Sequence, residues 1–439
     1  MSITRKLLAG AAIGALAVVG LAAQPAQAEA PSVKDVVLSI GADDSQRGLT
    51  WLSGSNVDDY VQIAQKVGHD GFRRATIVRP DQQGAAGEQA GWDYNKATLT
   101  NLRSHTTYDY RICVTDASCS TTYEFTTGDR GTFNFLVYGD PQVYTGTKTM
   151  TTPDGRTLTL NPSAGWATML ANSTRMFPHT AFLMPQGDQV DSYTVPKQVA
   201  EWDAFLAPSQ VTSYPMAPNV GNHDNANGQG YLYGQHFNLP NLSSSYGVTA
   251  SGTGDYWYTY GGVLFLELNT NNLDIAGHTA FMQQAITANP HSRWRILRFH
   301  QAPYSAADHP NDQDVIFLRQ NLTPVLSQLG IDLVLNGHDH DYVRSYLMDG
   351  TSVVPNSGGH WVNAQPGQVL YIETNSASGG KFYDLTNTAN NYYWAAVVNQ
   401  DYTAQFTNVE VRGAALIVST YTVDGQQIDQ VVLTQLHRH

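Results

Sequence analysis

Five clusters of polar side chains in this sequence each come directly after an apolar run. They are, in chain order, Asp140 with Gln142, Asp188 with Asp191, Asn222 with His223, His300, and His338 with His340. Carboxylate, amide and imidazole groups are ligands for hard and borderline metal cations. Any one cluster alone could be an ordinary solvated loop, but the five together predict a shared metal centre.

The stretch Gly337-His338-Asp339-His340-Asp341-Tyr342 follows the apolar run 331–335. On a strand, residues two apart point the same way, so both imidazoles could serve one cluster where the strand ends. A carboxylate that bridges two cations holds them about 3.5–4 Å apart, and Asp188 is the candidate bridge. A glycine precedes the first ligand of four clusters, which lets the chain turn sharply there.

The elements that must position these residues are predicted from Thr132 onward, where strand-like runs alternate with helix-like segments. The predicted strands are 133–138, 181–185, 216–220, 294–299, 331–335, 369–373 and 415–419, with a hairpin at 256–268. The predicted helices are 164–176, 195–206, 279–288 and 314–329. This alternation is typical of an α/β layer architecture, in which ligands gather at the carboxyl ends of strands. All five clusters fall at such ends, and we expect the loop 375–380 to approach them.

Residues 29–130 are predicted to form a separate all-β sandwich, followed by a second domain at 131–439. Short alternating runs at 49–52, 60–63 and 72–77 are candidate strands, and Trp51 is the expected core aromatic. The segment around Tyr108 resembles the tyrosine corner of fibronectin type III modules. Cys113 and Cys119 lie at a predicted hairpin tip, where we expect a disulfide; two free thiols are the alternative.

Residues 1–28 have the layout of a secretory signal. Arg5 and Lys6 precede an uncharged apolar run from Leu7 to Ala23, and small residues lead to a cleavage site near Ala28. A membrane anchor is the alternative, but the run is near the short limit for a span. We therefore expect a secreted protein without stable membrane association.

The formal net charge of the 439-residue chain is −13. An acidic protein is a poor generic binder of nucleic acid, so we expect no nucleic-acid binding as such. The sequence does not fix the oligomeric state.

The order GD, GDxxD, GNHD, H and GHxH resembles the calcineurin-like metallophosphoesterase superfamily. The preceding β module makes the chain most similar to the purple acid phosphatases. The resemblance implies a β-sandwich flanked by helices, two bound metal ions (Fe, Zn or Mn), and a small-molecule phosphate ester as substrate. It implies hydrolysis of phosphate monoesters by a metal-bound hydroxide.

The resemblance also implies roles for individual residues. The first metal would be held by Asp140, Asp188 and His340, and the second by Asp188, Asn222, His300 and His338. His223 matches the histidine that protonates the leaving alkoxide or contacts phosphate, and its alternative is a structural histidine held by Asp191. His309 matches a substrate-side histidine, although a surface-loop histidine needs no role. Asp224, Asp339 and Asp341 match no ligand, and we expect them to support the site or to be solvated.

Two positions depart from the purple enzymes. The purple enzymes have a glycine where Gln142 stands, and the wider superfamily has a histidine, so Gln142 either binds the first metal through its side-chain oxygen or hydrogen-bonds a metal-bound water. The purple enzymes have a ligand tyrosine where Asp191 stands. Tyr193 is two residues further on, and we interpret it as an ordinary pocket or core tyrosine.

Two other functions stay open. A phosphodiesterase acting on nucleotides or lipids would share the whole ligand set and differ only in the pocket for the second ester group. A non-enzymatic surface-binding protein is the alternative of another class, favoured by the β module and by the polar tail after Gly350. Against it, a decayed enzyme is expected to have lost ligands.

Overall fold

The computed structural model describes residues 32–68, 71–129, 131–249, 253–386 and 392–435. The predicted secretory signal at 1–28 lies outside these residues. Within them, every helix is too short or too polar to cross a membrane.

The N-terminal unit consists of nine strands in two packed sheets. The strands are β1 (Val33–Ile40), β2 (Arg47–Gly54), β3 (Tyr60–Gln65), β4 (Thr76–Val78), β5 (Gln82–Ala85), β6 (Trp92–Leu99), β7 (Thr107–Thr115), β8 (Ser118–Cys119) and β9 (Tyr123–Thr126). One sheet has the order β1-β2-β6-β5, and the other has β4-β3-β7-β8 with β9 also paired to β7. Trp51 is fully buried between them, as predicted, and its Nε1 donates to Asp59 Oδ2 at 2.9 Å.

Two local predictions for this unit are confirmed and one is partly wrong. The hydroxyl of Tyr108 accepts the backbone N–H of Arg103 at 2.8 Å, and Cys113 and Cys119 form a disulfide across β7 and β8. The predicted strand 72–77 is instead a 3₁₀ turn, Gly71–Arg74, followed by β4. Phe72 packs under the guanidinium of Arg111 at 4.2 Å rather than in the sandwich core, so no strand alternation is needed there.

The C-terminal unit contains the remaining strands and all seven α-helices of the described residues. The strands are β10 (Thr132–Tyr138), β11 (Lys148–Thr151), β12 (Thr157–Leu160), β13 (Leu183–Pro185), β14 (Tyr256–Tyr260), β15 (Val263–Glu267), β16 (Trp294–Arg298), β17 (Leu333–Asn336), β18 (Tyr342–Ser345), β19 (Met348–Asp349), β20 (Ser352–Val353), β21 (Trp361–Ala364), β22 (Gln368–Glu373), β23 (Ala395–Asn399), β24 (Gln405–Arg412), β25 (Ala415–Thr422) and β26 (Gln427–Gln435). The helices are α1 (Pro162–Met176), α2 (Val195–Leu206), α3 (Gln210–Ser213), α4 (Tyr231–His236), α5 (Ile275–Ala288), α6 (Gln313–Asn321) and α7 (Thr323–Gln328).

Two large sheets of this unit face each other. The order of one is β13-β10-β24-β25-β26-β21, and that of the other is β14-β15-β16-β17-β22-β18-β23, with β19 and β20 attached. Their inner faces share a core that includes Phe135, Phe265 and Leu335. Apolar residues of α1 and α2 pack with the outer face of the first sheet, and those of α5 to α7 with the second. The predicted β-sandwich flanked by helices is therefore confirmed.

Parallel pairing brings the polar clusters to one end of the sandwich. β10 is parallel to β13, and β15, β16, β17 and β22 are parallel in the other sheet. Asp140, Asp188, His300 and His338 each follow the carboxyl end of one of these strands. The topology thus brings these four residues together at the carboxyl ends of the parallel strands, although they are far apart in the sequence.

Two predicted elements of this unit are wrong in part. The single helix predicted at 314–329 is interrupted at Leu322, because Pro324 has no N–H to continue the helical ladder and its ring crowds the preceding turn. The strand predicted at 216–220 is reduced to bridges at Met216, which lies between Pro215 and Pro218.

The arginine of a buried ion pair connects the two sheets just below the strand ends that carry the polar clusters. Arg298 of β16 donates to Glu267 of β15 at 2.6 Å, and both side chains are at most 1% exposed. The same guanidinium donates to the carbonyls of Pro185 at 3.2 Å and Ala217 at 2.6 Å, which belong to the first sheet and its neighbouring segment. Arg298 therefore locks the ends of β13 and β16 relative to each other.

Replacing this arginine should destabilise the C-terminal unit strongly. Arg298→Met leaves the Glu267 carboxylate buried without its guanidinium, a change that costs about 3–5 kcal/mol in other buried pairs. We expect a clearly lower urea midpoint by circular dichroism. The double variant Arg298→Met/Glu267→Leu should recover part of the loss, and Arg412→Met, which breaks the exposed pair with Glu410, should change the midpoint little. An Arg298→Met midpoint equal to the wild-type value would contradict this role.

Candidate metal centre

One half of the centre is built on Asp140, which follows β10. The carboxylate is fully buried; its Oδ1 accepts the backbone N–H of His338 at 2.8 Å, and its Oδ2 lies 3.0 Å from Nε2 of His340. The other ring nitrogen of His340 donates to the carbonyl of Lys381 at 2.9 Å. That bond fixes the ring so that Nε2, the remaining nitrogen, faces Asp140.

The other half is built around Asp188 and His300. Nε2 of His300 lies 3.2 Å from Oδ2 of Asp188, 3.0 Å from Oδ1 of Asn222 and 3.2 Å from Nδ1 of His338. Nδ1 of His300 donates to the carbonyl of Gln186 at 2.9 Å, which holds Nε2 toward the group. Ligand atoms of Asp188, His300 and His338 all lie within 4.8 Å of one another. A carboxylate, an amide oxygen and two imidazoles thus converge on one point.

The electrostatics of this group match a site for cations. Burial acts to raise the pKa of Asp188, but His300 and His223 outweigh it and hold the pKa well below its usual value. Burial acts to lower the pKa of His300, yet Asp188 and Asp140 raise it to about 10. Burial and the neighbouring His300 lower the pKa of His338. The buried carboxylates therefore require positive charge nearby. The carboxylate, amide and imidazole groups that meet here are ligand types that fit two metal ions.

Close approach of the backbone shapes the site. A Cβ on Gly337 would lie 2.2 Å from Oδ1 of Asp140, and one on Gly221 would lie 2.0 Å from Oδ1 of Asp188. Asp188, His338 and His340 have positive φ angles of 47°, 86° and 50°. Strand alternation is therefore not what aligns the two histidines, because both lie on the turn after β17, where left-handed backbone aims each ring separately.

The side chain of Gln142 lies inside the centre, against Asp188 and His223. Its Nε2 is 3.3 Å from Oδ2 of Asp188 and 2.9 Å from Nε2 of His223. Its Oε1 is buried and has no hydrogen-bond partner among the described residues. This orphaned oxygen is the atom that the predicted ligand role requires.

His223 is held by the backbone of Asp191 rather than by its carboxylate. Nδ1 of His223 donates to the Asp191 carbonyl, whereas the Asp191 carboxylate pairs with Lys148 at 3.0 Å. A carbonyl only accepts, so Nδ1 carries the proton and Nε2 is the nitrogen that faces the centre. The structure thus places the predicted pair together but assigns the contact to a different group of Asp191.

Tyr193 belongs to the centre, which the sequence did not establish. Its hydroxyl lies 2.9 Å from Nε2 of His223 and accepts from Nδ2 of Asn222 at 2.8 Å. The two rings stack with centroids 4.0 Å apart, and Tyr193 is 43% exposed. It is therefore a pocket residue and not a core tyrosine. Burial and Asp188 raise its pKa to about 12.

His309 also reaches the centre. Its ring centroid is 4.3 Å from that of His338, Nδ1 lies 2.8 Å from Asp312, and Nε2 lies 3.2 Å from the hydroxyl of Tyr383. Asp339 positions this loop by accepting the backbone N–H groups of 307, 308 and 309. Tyr383 was not identified from the sequence, because it follows the glycine-rich loop rather than a strand end.

The two remaining acidic residues of the motifs, Asp341 and Asp224, also support loops. Oδ2 of Asp341 accepts the N–H of Ala306 at 3.1 Å. Asp224 accepts N–H groups from Gly221 at 2.8 Å and Gln189 at 2.9 Å. Asp224 therefore joins the loop of Asn222 to the loop of Asp188. Loop 375–380 does approach the site, since Ala377 donates to the carbonyl of Gly139 at 2.7 Å.

Comparison with known proteins gives two matches to family models. Residues 133–342 match the calcineurin-like phosphoesterase domain, and residues 33–127 match the purple acid phosphatase N-terminal domain. A purple acid phosphatase from yellow lupin (Lupinus luteus) seeds has a similar structure, with a TM-score of 0.73 over 93% of this chain and 75% of that chain. At 14% identity this likeness concerns the fold.

Two relatives found by sequence match smaller shares of this chain. An uncharacterised protein of Mycobacterium tuberculosis is 26% identical over 362 residues, which is 74% of this chain and 65% of the relative. The match therefore spans less than two thirds of that relative. Purple acid phosphatase 3 of Arabidopsis thaliana is 30% identical over 120 residues, covering 26% of this chain and 29% of that protein.

Removing the charge of the central carboxylate should weaken metal binding. Asp188→Asn should lose at least one of two bound metal ions after dialysis, as counted by atomic emission, because the candidate bridge loses its negative charge. Asp191→Asn is the matched control and should keep both ions, since that carboxylate pairs with Lys148. Unchanged circular dichroism would show that the fold is intact. Two retained ions in Asp188→Asn would contradict the assignment.

Proposed function

We propose that this chain, in which a calcineurin-like phosphoesterase domain follows a purple acid phosphatase N-terminal domain, is a secreted dinuclear-metal hydrolase of phosphate monoesters. The observation that carries the proposal is the convergence of six potential ligands at one edge of the sandwich. They are Asp140, Asp188, Asn222, His300, His338 and His340. Export is supported by the Cys113–Cys119 disulfide, since disulfides persist in oxidising compartments.

In this proposal Asp140, Asp188 and His340 would hold one ion, and Asp188, Asn222, His300 and His338 would hold the other. When bound, the ions (Fe, Zn or Mn) would supply positive charge for the phosphate oxygens and would lower the pKa of a nucleophilic water. Gln142 completes the first site, because its buried Oε1 otherwise lacks a partner among the described residues. The carbonyls of Gln186 and Lys381 hold the rings of His300 and His340 in register.

His223 supplies the proton that the leaving group needs. When the bond between phosphorus and the ester oxygen breaks, its electron pair stays on that oxygen, which takes up a proton as it leaves. Nδ1 is committed to the Asp191 carbonyl, so Nε2, which faces the centre, is the nitrogen that would exchange a proton with the leaving group. Imidazole suits this task because one ring nitrogen can keep its hydrogen bond while the other gives up or takes a proton. His309, held by Asp312 and Tyr383, lies next to His338, where it would contact a phosphate oxygen.

The test is a phosphate-release screen on protein purified without chelator, with bound metals measured in the same sample. Monoesters and diesters of matched alcohols should be included, because the ratio of their rates separates a monoesterase from a diesterase. We expect monoesters to be hydrolysed faster and chelation to abolish release. Metal-loaded protein that releases no phosphate from any ester, or that prefers diesters, would contradict the proposal.

The charge of Asp188 should be essential for hydrolysis as well as for metal retention. Asp188→Asn should nearly abolish phosphate release, because at least one metal position is expected to be empty. Near-normal turnover in this variant would exclude the bridging role.

The work of His223 should depend on the leaving group. His223→Ala should lower kcat by roughly 10²–10⁴-fold for alkyl phosphates, and much less for an activated aryl phosphate whose alcohol departs unprotonated. The measurement is kcat for both ester types at equal metal content. Equal losses on both would indicate that His223 is structural.

The iron-loaded enzyme should be colourless. The purple colour of the similar phosphatases is attributed to a ligand tyrosinate, and Asp191 occupies that position here with its carboxylate paired to Lys148. The hydroxyl of Tyr193 contacts Asn222 and His223 rather than Asp140 or His340, so the Tyr193 phenol is not placed to bind the first ion. The measurement is the visible spectrum of active protein. A strong green-to-yellow band that vanishes in Tyr193→Phe would show that Tyr193 is a ligand.

A further inference from the structure

Lys381 is fixed at the rim of the centre through both its backbone and its side chain. Its carbonyl accepts the Nδ1–H of His340 at 2.9 Å. Its Nζ lies over the ring of Tyr383, 4.6 Å from the ring centroid. The Tyr383 ring lies 5.0 Å from the ring of His340 and 5.1 Å from that of His309, measured between centroids. One aromatic side chain therefore connects the ammonium to two histidines of the centre.

The Lys381 ammonium has no carboxylate partner among the residues that the structure describes, and the residue is partly exposed. Lys148, which also lies beside the centre, differs because its Nζ is 3.0 Å from Oδ2 of Asp191. Asp384, three residues after Lys381, accepts the hydroxyl of Tyr402 at 2.8 Å instead. The face of an aromatic ring holds an ammonium without neutralising it, and an ammonium has three donors. Lys381 therefore keeps its charge and its donors for a group that enters from solvent.

A cation without a carboxylate partner has a large effect at this position because the chain is acidic. The formal net charge is −13, which opposes the approach of anions to most of the surface. A charge at the rim of a binding site acts mainly on which partner is selected and on how fast it associates. An ester phosphate held at the metal centre leaves the alcohol part of the ester to extend over the rim. Lys381 is placed to select that part by its charge.

We propose that Lys381 is a specificity-determining residue that binds a second anionic group of the substrate while the ester phosphate occupies the metal centre. The substrate class is then phosphate monoesters whose alcohol carries further negative charge. Tyr383 acts as a positioning residue, because its ring holds the ammonium over the rim. This inference rests on the proposed phosphoesterase function and adds to it the chemistry of the alcohol.

The kinetic test uses three esters that differ in the charge at the far end of the alcohol. These are 3-phosphoglycerate with a carboxylate, glycerol 3-phosphate with a hydroxyl, and phosphoethanolamine with an ammonium. Lys381→Met should raise KM for 3-phosphoglycerate roughly 10-fold and leave kcat unchanged, because the contact is the same in the ground state and the transition state. KM for glycerol 3-phosphate should stay at the wild-type value, and KM for phosphoethanolamine should fall. The preference of wild type for the carboxylate should shrink in high salt.

Two control variants separate local recognition from net charge. Lys381→Arg keeps the cation and should keep the preference for 3-phosphoglycerate. Lys66→Met removes the same charge from the β module, where Lys66 pairs with Asp109 and Glu124, and should match wild type on all three esters.

Two kinetic outcomes would overturn the recognition role. Equal losses on all three esters in Lys381→Met, or loss of bound metal, would assign the residue to holding His340. A wild-type enzyme that hydrolyses the three esters with the same KM would show that the ammonium selects nothing, and would leave the proposed function intact.

A binding arm separates this inference from the proposed function, because it needs no turnover. Propylphosphonate and 3-phosphonopropionate have no ester bond and differ only in the terminal carboxylate. By titration calorimetry, metal-loaded wild type should bind 3-phosphonopropionate roughly 10-fold more tightly, and Lys381→Met should bind the two alike. Equal affinities in wild type would overturn the role of Lys381. The expected preference together with no phosphate release from any ester would support Lys381 as an anion site and overturn the proposed function alone.

Discussion

Two carboxylates buried at the end of a β-sandwich set the conditions for everything around them. Asp140 and Asp188 are at most 1% exposed, and a buried charge is tolerable only when opposite charge and hydrogen-bond donors compensate it. The backbone N–H groups of His338 and His223 point at them, and His340 and His300 lie against them. These partners come from the loops after β16 and β17 and from the segment that contains Asn222 and His223. The need to compensate the two charges therefore links the loops after β10, β13, β16 and β17.

The backbone at this edge is held in conformations that isolated chains rarely adopt. Positive φ angles at Gln142, Asp188, His338 and His340 each carry a cost of order 1–3 kcal/mol, which the surrounding structure must offset. The rigid parts that do so lie directly beneath, in the parallel strands and in the Arg298–Glu267 pair. Asp224 and Asp339 act from the sides by binding the backbone of neighbouring loops. The site is consequently preorganised by packing rather than by local preference.

The sequence predicted most of the architecture because apolar periodicity and strand-end motifs are local signals. α2 was predicted with the bounds that the structure has, and each of the seven candidate ligands lies at the predicted edge. Contacts that depend on how the chain turns within a loop could not be predicted from the sequence. Asp191 meets His223 through its carbonyl, and Tyr193 reaches the same imidazole because the chain turns after Asp188. The interruption of the helix at Leu322 could have been predicted from Pro324. The isolated β-bridges of Met216 could not, because their partners are far away in the sequence.

The bridges at Met216 indicate a structural role for the N-terminal unit. Met216 exchanges backbone hydrogen bonds with Leu38 and Ile40 of β1 on one side, and its neighbours bond Leu183 of β13 on the other. β13 is the outermost strand of its sheet, and an outermost strand with free N–H and C=O groups invites pairing with another chain. The segment 215–217 pairs with β13, and β1 of the N-terminal sheet pairs with the other side of that segment. A chain shortened to its C-terminal unit would expose the backbone groups of Met216 that β1 satisfies, and those groups could then pair with another copy.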